Sequence, residues 1–265
     1  MSLNSRDSAP DHTSETLTQG QNLYYSGRLN EAEEVFSKAL QKNPSQHAIL
    51  NARGYVYAKR GKWDQAIKDL TQAVKLAPQN SRYLENLGTA YLEAGHPQKA
   101  LEYFSLVLES ASDSPQALNH RGLAFSQLGQ YQDAIQDFSK ALTFDNPMAE
   151  IYLNRAVAYL KSGAREAAKK DLDQTIRLNS SLHQAFQSRG LLELMNGEIE
   201  AAIQDFTRAI HLGADGGLVH YNRGVALTMA GDEGHAQEEY DLACQRHIYQ
   251  ACDHSGIQTQ VHLQL

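Results

Sequence analysis

Five arginines recur at steps of 34 residues or twice that: Arg53, Arg121, Arg155, Arg189 and Arg223. A row of guanidinium groups at a fixed pitch could serve as a ladder for anions. The chain carries its own counter-argument. Sixteen residues after each arginine stands an acid: Asp69, Asp137, Asp171, Asp205 and Glu239. Where Gln19 or Leu87 takes the arginine's place, the acid is gone too, replaced by Val35 and Tyr103. Both charges occur or neither does, which predicts structural ion pairs between two helices of one repeat. A guanidinium fork bonds both oxygens of a carboxylate, and pairing is the ordinary state of a charge inside a packed layer. Pairing each arginine with the preceding repeat's acid position would leave Arg53 facing Val35 and Arg121 facing Tyr103.

The other gathering of reactive types lies near the carboxy terminus: Cys244, His247, Cys252 and His254, with His235 and His262 nearby. Structural zinc needs four ligands closing a tetrahedron, and Cys-x2-His followed by Cys-x-His is not a familiar spacing for it. No metal or other cofactor is expected. The chain has no P-loop, no G-x-G-x-x-G, no H-E-x-x-H and no G-x-S-x-G. Without a convergent cluster of titratable groups, no enzyme activity is expected.

These residues sit on a repeating frame. Glycines stand 34 residues apart without a miss: Gly27, Gly61, Gly95, Gly129, Gly163, Gly197 and Gly231. Seven residues earlier the chain is small, with glycine in six repeats and Ala156 in the fifth. Five residues after each turn glycine comes an alanine, and four further on a large side chain: Phe36, Leu70, Phe104, Phe138, Leu172, Phe206 or Tyr240. A glycine can end a helix at positive φ, small residues let two helices approach, and the bulky residue plugs the gap. A period of this length marks a stacked array of helical hairpins.

On these positions the sequence resembles the tetratricopeptide repeat family over residues 13–250. The family's near-terminal proline is present at Pro44 and Pro78, shifted at Pro147 and missing elsewhere. The resemblance implies an all-α fold, a right-handed α-solenoid superhelix of seven helix-turn-helix hairpins. The repeats would be 13–46, 47–80, 81–114, 115–148, 149–182, 183–216 and 217–250, between a polar lead-in (1–12) and a tail (251–265). In the second repeat the helices are expected at Ala48–Arg60 and Trp63–Leu76.

The resemblance also implies that first helices line a concave groove able to take a protein or peptide segment. Carried onto this chain, the groove residues are Asn51, Tyr55, Arg82, Glu85, Asn119, Leu123, Leu153, Val157, Leu160, Gln187, Leu191, Leu194, Tyr221 and Val225. Its amino-terminal half reads polar and its carboxy-terminal half apolar. An exposed apolar stretch would be an interaction site, unless the chain's own tail or neighbouring helices cover it. The carboxylate clamp of chaperone-binding members is not expected, because no lysine or arginine converges on Asn86 or Asn154. Cys244 and Cys252 resemble the cysteine pairs that staple adjacent helices in Sel1-like repeat proteins. That resemblance implies a disulfide, with two free thiols in a reducing cytosol as the open alternative.

A net charge of −7 argues against nucleic acid, and no apolar stretch approaches a membrane span. The polar amino terminus lacks the apolar core of a signal peptide. The cytoplasm is therefore the expected location, with a periplasmic or exported location following if the cysteines are bonded and a signal has been removed. From Ile257 to Leu265 apolar and polar residues alternate with period two, a strand-like signal. Such a tail could dock on its own array or a neighbour's. The function expected is a non-enzymatic interaction scaffold, the alternative being self-assembly through the apolar half of the groove and the tail.

Overall fold

The computed structural model describes residues 13–110, 113–145 and 148–252. The amino-terminal lead-in, Pro147, His254, His262 and the alternating tail from Ile257 lie outside the described residues. Among the described residues the fold is all-α, with no strand. The chain divides into two compact units, Met1–Leu128 and Gly129–Leu265.

Unit 1 contains α1 (Thr13–Tyr25), α2 (Leu29–Lys42), α3 (His47–Lys59), α4 (Trp63–Leu76), α5 (Ser81–Glu93), α6 (Pro97–Ser110) and α7 (Pro115–Gln127). The second repeat's helices begin and end within one residue of expectation. Hairpins α1–α2, α3–α4 and α5–α6 stack in order, with α7 against α6. First helices also touch one another, α1 with α3, α3 with α5 and α5 with α7.

Unit 2 contains α8 (Tyr131–Ala141), α9 (Ala149–Lys161), α10 (Arg165–Leu178), α11 (His183–Asn196), α12 (Ile199–His211), α13 (Gly217–Met229) and α14 (Glu233–Gln245). Here α9–α10, α11–α12 and α13–α14 form the hairpins, while α9 meets α11 and α11 meets α13. A short 3-10 turn at Tyr249–Ala251 folds back against α14.

The local causes are those of the repeat. All seven turn glycines have positive φ, between 69° and 85°. At Gly61 the backbone reverses through Gly61 N–H to Ala58 O (2.9 Å) and Lys62 N–H to Tyr57 O (2.9 Å). A side chain at that φ would be strained, so glycine closes the helix and permits a three-residue turn. The small residue of the first helix has a different role. A Cβ added at Gly88 would lie 2.9 Å from the Phe104 ring. The plug residue therefore occupies the volume that glycine leaves empty. All seven plugs are buried, from Phe36 to Tyr240. Each contributes about 1.5–3 kcal/mol by leaving water, which is the main force holding a hairpin shut.

The end of α14 departs from the rule. His247 takes φ 68°, and Ile248 N–H bonds Ala243 O at 3.0 Å. The equivalent turn after α12 has Gly213 at φ 95°, with Ala214 N–H on Ala209 O at 3.0 Å. Beyond His247 the chain is tied down by a disulfide between Cys244 and Cys252. Ala251 is buried and Ile248 packs against the same apolar cluster, so this short segment covers the end of the last hairpin.

Candidate functional site

The arginines are anchored on two sides. Arg53 Nε donates to Asp69 Oδ2 at 2.6 Å and Nη2 to Oδ1 at 2.9 Å, while Nη1 reaches back to Ser37 Oγ at 3.1 Å. Arg155 repeats this with Asp171 (2.7 and 2.8 Å) and Ser139 (3.0 Å). Arg189 does so with Asp205 (2.7 and 3.0 Å) and Asp173 (2.8 Å). Arg223 bonds Glu239 and Thr207, and the second Glu239 oxygen takes His220 Nδ1 at 2.8 Å. One guanidinium thus ties three successive helices together. Arg121 and Asp137 stand in different units, on α7 and α8. In the third repeat Leu87 is fully buried instead, and Tyr103 stacks on Tyr91 at 5.6 Å.

The partner sixteen residues before each arginine was not anticipated. A signal existed: that position holds Ser37, Thr71, Ser105, Ser139, Asp173, Thr207 and Asp241, every one with a side-chain oxygen. Four arginines bonded to acids of their own repeats are structural staples and not an anion ladder, although Nε of Arg223 is buried without a partner among the described residues.

The expected groove residues separate into two groups. Leu160, Leu191, Leu194 and Val225 are buried, at 6, 2, 4 and 7% exposure, so they do not line an open surface. Leu191, Leu194 and Val225 pack into the cluster around Phe206 and Tyr240, and Leu160 into the one around Leu172. Leu153 and Tyr221 are half-buried against those clusters, and Val157 is half-buried too. First helices touch in both units, and in unit 2 long aliphatic side chains at the contact fill the space between them. For Leu160, Leu191, Leu194 and Val225 the expectation of an exposed apolar surface is corrected accordingly. Neighbouring helices cover them.

Unit 1 differs. Asn51, Tyr55 and Arg82 line a cavity of about 360 Å3 bounded by α1, α3 and α5. Tyr24, Tyr25 and Gln21 from α1 and Asn86 from α5 complete its polar and aromatic wall. Asn86 Nδ2 donates to Asn51 Oδ1 at 2.8 Å, fixing both amides across neighbouring first helices. The Tyr24 ring lies 5.3 Å from Tyr55 and 5.4 Å from Tyr25. Burial, then a hydrogen bond with Tyr55, pushes the Tyr24 phenol up to about 12, so it remains neutral around pH 7. Tyr55 is 49% exposed and Tyr25 82%, so both rings offer faces to solvent. Arg82 is exposed and takes part in no ion pair among the described residues.

The remaining expected positions lie outside that cavity. Glu85 accepts from Ser114 at 3.4 Å, Gln187 pairs with His183 at 3.2 Å, and Asn119 and Leu123 are half-buried on α7. Gln21, Tyr24 and Asn86 were not among the expected groove residues. The groove spacing, applied to the first repeat, would have named Gln21 and Tyr24.

Glu193 stands where four other repeats place a ring. Arg53 lies over Tyr57 at 5.6 Å and Arg155 over Tyr159 at 5.8 Å, whereas Arg189 meets a carboxylate at 3.9 Å. Burial and the nearby Asp205 push the Glu193 carboxyl up to about 7, against the pull of Arg189 and Lys169. No group of three or more His, Cys, Asp or Glu side chains suited to a metal occurs among the described residues. No described helix is long and apolar enough to cross a membrane.

Hairpins at a 34-residue step, each closed by one glycine turn and shut by one bulky plug, define a helical-repeat protein. The family model described as tetratricopeptide repeat matches residues 17–81, 51–115, 85–149, 119–181, 153–217 and 188–251, and the chain belongs to that family. No curated protein matches it by sequence. The structure is similar to a tetratricopeptide repeat protein from Parabacteroides merdae, at 24% identity over 88% of this chain and 92% of that one, with a TM-score of 0.73. It is similar to pilF of Pseudomonas aeruginosa, at 19% identity over 75% and 90% of the two chains, with a TM-score of 0.67. A third similar structure is YrrB, described as a TPR protein with an unusual peptide-binding site: 19% identity, 70% and 94% coverage, TM-score 0.54. At such identities the likeness establishes the fold. The family places the chain among protein-interaction scaffolds, a fold class that is typically not catalytic.

Proposed function

We propose that this chain is a non-enzymatic adaptor that holds an extended peptide segment on the first-helix face of unit 1. The observation that carries the reading is the cavity between α1, α3 and α5, where amides, phenols and one cation converge. An extended peptide has unpaired backbone amides, which the Asn51–Asn86 pair can bond on its free donor and acceptor positions. The tyrosines supply rigid apolar area with a polar tip, the type of surface favoured in binding sites.

Asn51→Ala and Tyr55→Ala should each reduce capture of a bound peptide without changing the helical circular dichroism. Substitutions of Gln65 on α4 and Gln98 on α6, both exposed and outside the cavity, serve as controls. Equal losses from those controls would move the site off this face.

The disulfide supports an oxidising location, periplasmic or exported, over the cytoplasm. Thiol labelling of unreduced, denatured protein taken from its own cell tests this. Two reactive thiols would return the chain to a reducing compartment.

A further inference from the structure

Among the residues that line the cavity between α1, α3 and α5, Arg82 is the only charged one. In a chain of net charge −7 that local sign is the reverse of the whole. Four other arginines, Arg53, Arg155, Arg189 and Arg223, are bonded to acids of their own chain. Arg82 is exposed at the cavity and enters no ion pair among the described residues. The nearest acid on its helix, Glu85, accepts instead from Ser114 of the segment before α7. A guanidinium with its fork free bonds a carboxylate with two parallel hydrogen bonds.

The same cavity presents the exposed faces of Tyr25 and Tyr55, on α1 and α3. A ring or a proline packs on such faces, while an aliphatic chain gains only area. Arg82 is the second residue of α5 and Tyr55 the ninth of α3, so an offset of about 10 Å along the helices adds to the roughly 8–10 Å between packed neighbours. An extended chain advances about 3.3 Å per residue, so a ligand covers the step from Tyr55 to Arg82 in about four or five residues.

We infer that the peptide taken by this site carries an acidic side chain about four or five residues from a proline or an aromatic residue, with Arg82 reading the acid and Tyr55 reading the ring. The inference rests on the peptide-adaptor reading and adds a ligand class to it. Selectivity then comes from charge at one end and ring stacking at the other. The Asn51–Asn86 amides between them bond backbone and read no side chain.

The test is selection from a random decapeptide library displayed on phage, against the intact protein, Arg82→Glu and Tyr55→Ser. Both residues are solvent-exposed, and circular dichroism verifies the fold of each variant. The wild type should enrich Asp or Glu at one position and a ring about four or five positions away. Arg82→Glu should exchange the acid for Lys or Arg and keep the ring, and Tyr55→Ser should weaken the ring preference and keep the acid. Changing the selected acid to its amide should weaken wild-type binding roughly tenfold or more. Peptides recovered without acid enrichment, or an acid preference that survives Arg82→Glu, would overturn the ligand class and leave the adaptor reading standing. Recovery of no peptide by any variant would remove both.

Discussion

The two units use the same helical positions for different ends. In unit 1 the first helices α1, α3 and α5 carry Gln21, Tyr24, Asn51, Tyr55 and Asn86 on the side where they face one another, and a cavity remains. In unit 2 the first helices α9, α11 and α13 carry Leu160, Leu191, Leu194 and Val225 at the repeat positions of Gln21, Tyr24 and Tyr55, and these are buried. Aliphatic side chains can interlock without polar partners, so they draw the surface shut. Amides and phenols need hydrogen-bond partners, and a wall made of them stays open to water or to a ligand. An apolar reading of a repeat position is therefore a statement about packing, and a polar reading is the better guide to a site.

The largest effect that could break this comparison is loss of stability. Leu191→Ala should cost about 2–5 kcal/mol in urea unfolding, because it empties a closed contact. Tyr55→Ala at the half-exposed counterpart should cost about 1 kcal/mol or less. Equal costs would mean that the two faces are packed alike.

The ion pairs allow a sharper test within unit 2. Arg155→Ala and Asp171→Ala should each destabilise, and the double variant should cost less than their sum by about 0.5–3 kcal/mol. Ser139→Ala should add a smaller loss of its own, since Arg155 also reaches α8. Strict additivity between Arg155 and Asp171 would remove the staple.

One pH dependence of unit 2 comes from Glu193. The Glu193 carboxyl ordinarily titrates near 4.5, and burial and then Asp205 raise it to about 7 in the folded chain. Between those values the folded chain holds a proton that the unfolded chain has lost, so stability falls as pH rises through the window. Asp205 and Glu198 oppose the charge from neighbouring positions, and Arg189 and Lys169 favour it. Glu193→Gln should therefore be more stable than the wild type at about pH 8 and gain nothing at about pH 4. A constant difference across that range would contradict the raised carboxyl.

The smallest effect concerns the end of unit 2. His247 has a left-handed backbone at φ 68°, where the α12 turn uses Gly213. His247→Gly should stabilise by about 1 kcal/mol, read as a higher midpoint of thermal unfolding. A loss would show that the His247 ring, 6.4 Å from Tyr249, holds the last turn in place.

Much of this was legible in the chain. The 34-residue step located the turns and plugs, because each follows from one residue's own geometry or volume. The rule linking Arg53 with Asp69 was readable since both partners vary together. Ser37 escaped the same logic because serine is common on helix surfaces and has no charge to betray a partner. Leu191 and Val225 were misplaced for a different reason. Their spacing locates them on the face that neighbouring first helices share, and spacing carries no information about the gap between those helices.

The periodicity by itself determined the helices, the turn conformations and the family, since these depend on interactions within one repeat or between its two helices. Whether a given face is closed or open was decided only in three dimensions. That outcome depends on how closely α9, α11 and α13, or α1, α3 and α5, approach, and on whether the side chains between them fill the space. Leucines fill it in unit 2, and in unit 1 two tyrosines and a pair of asparagines leave room beside Arg82.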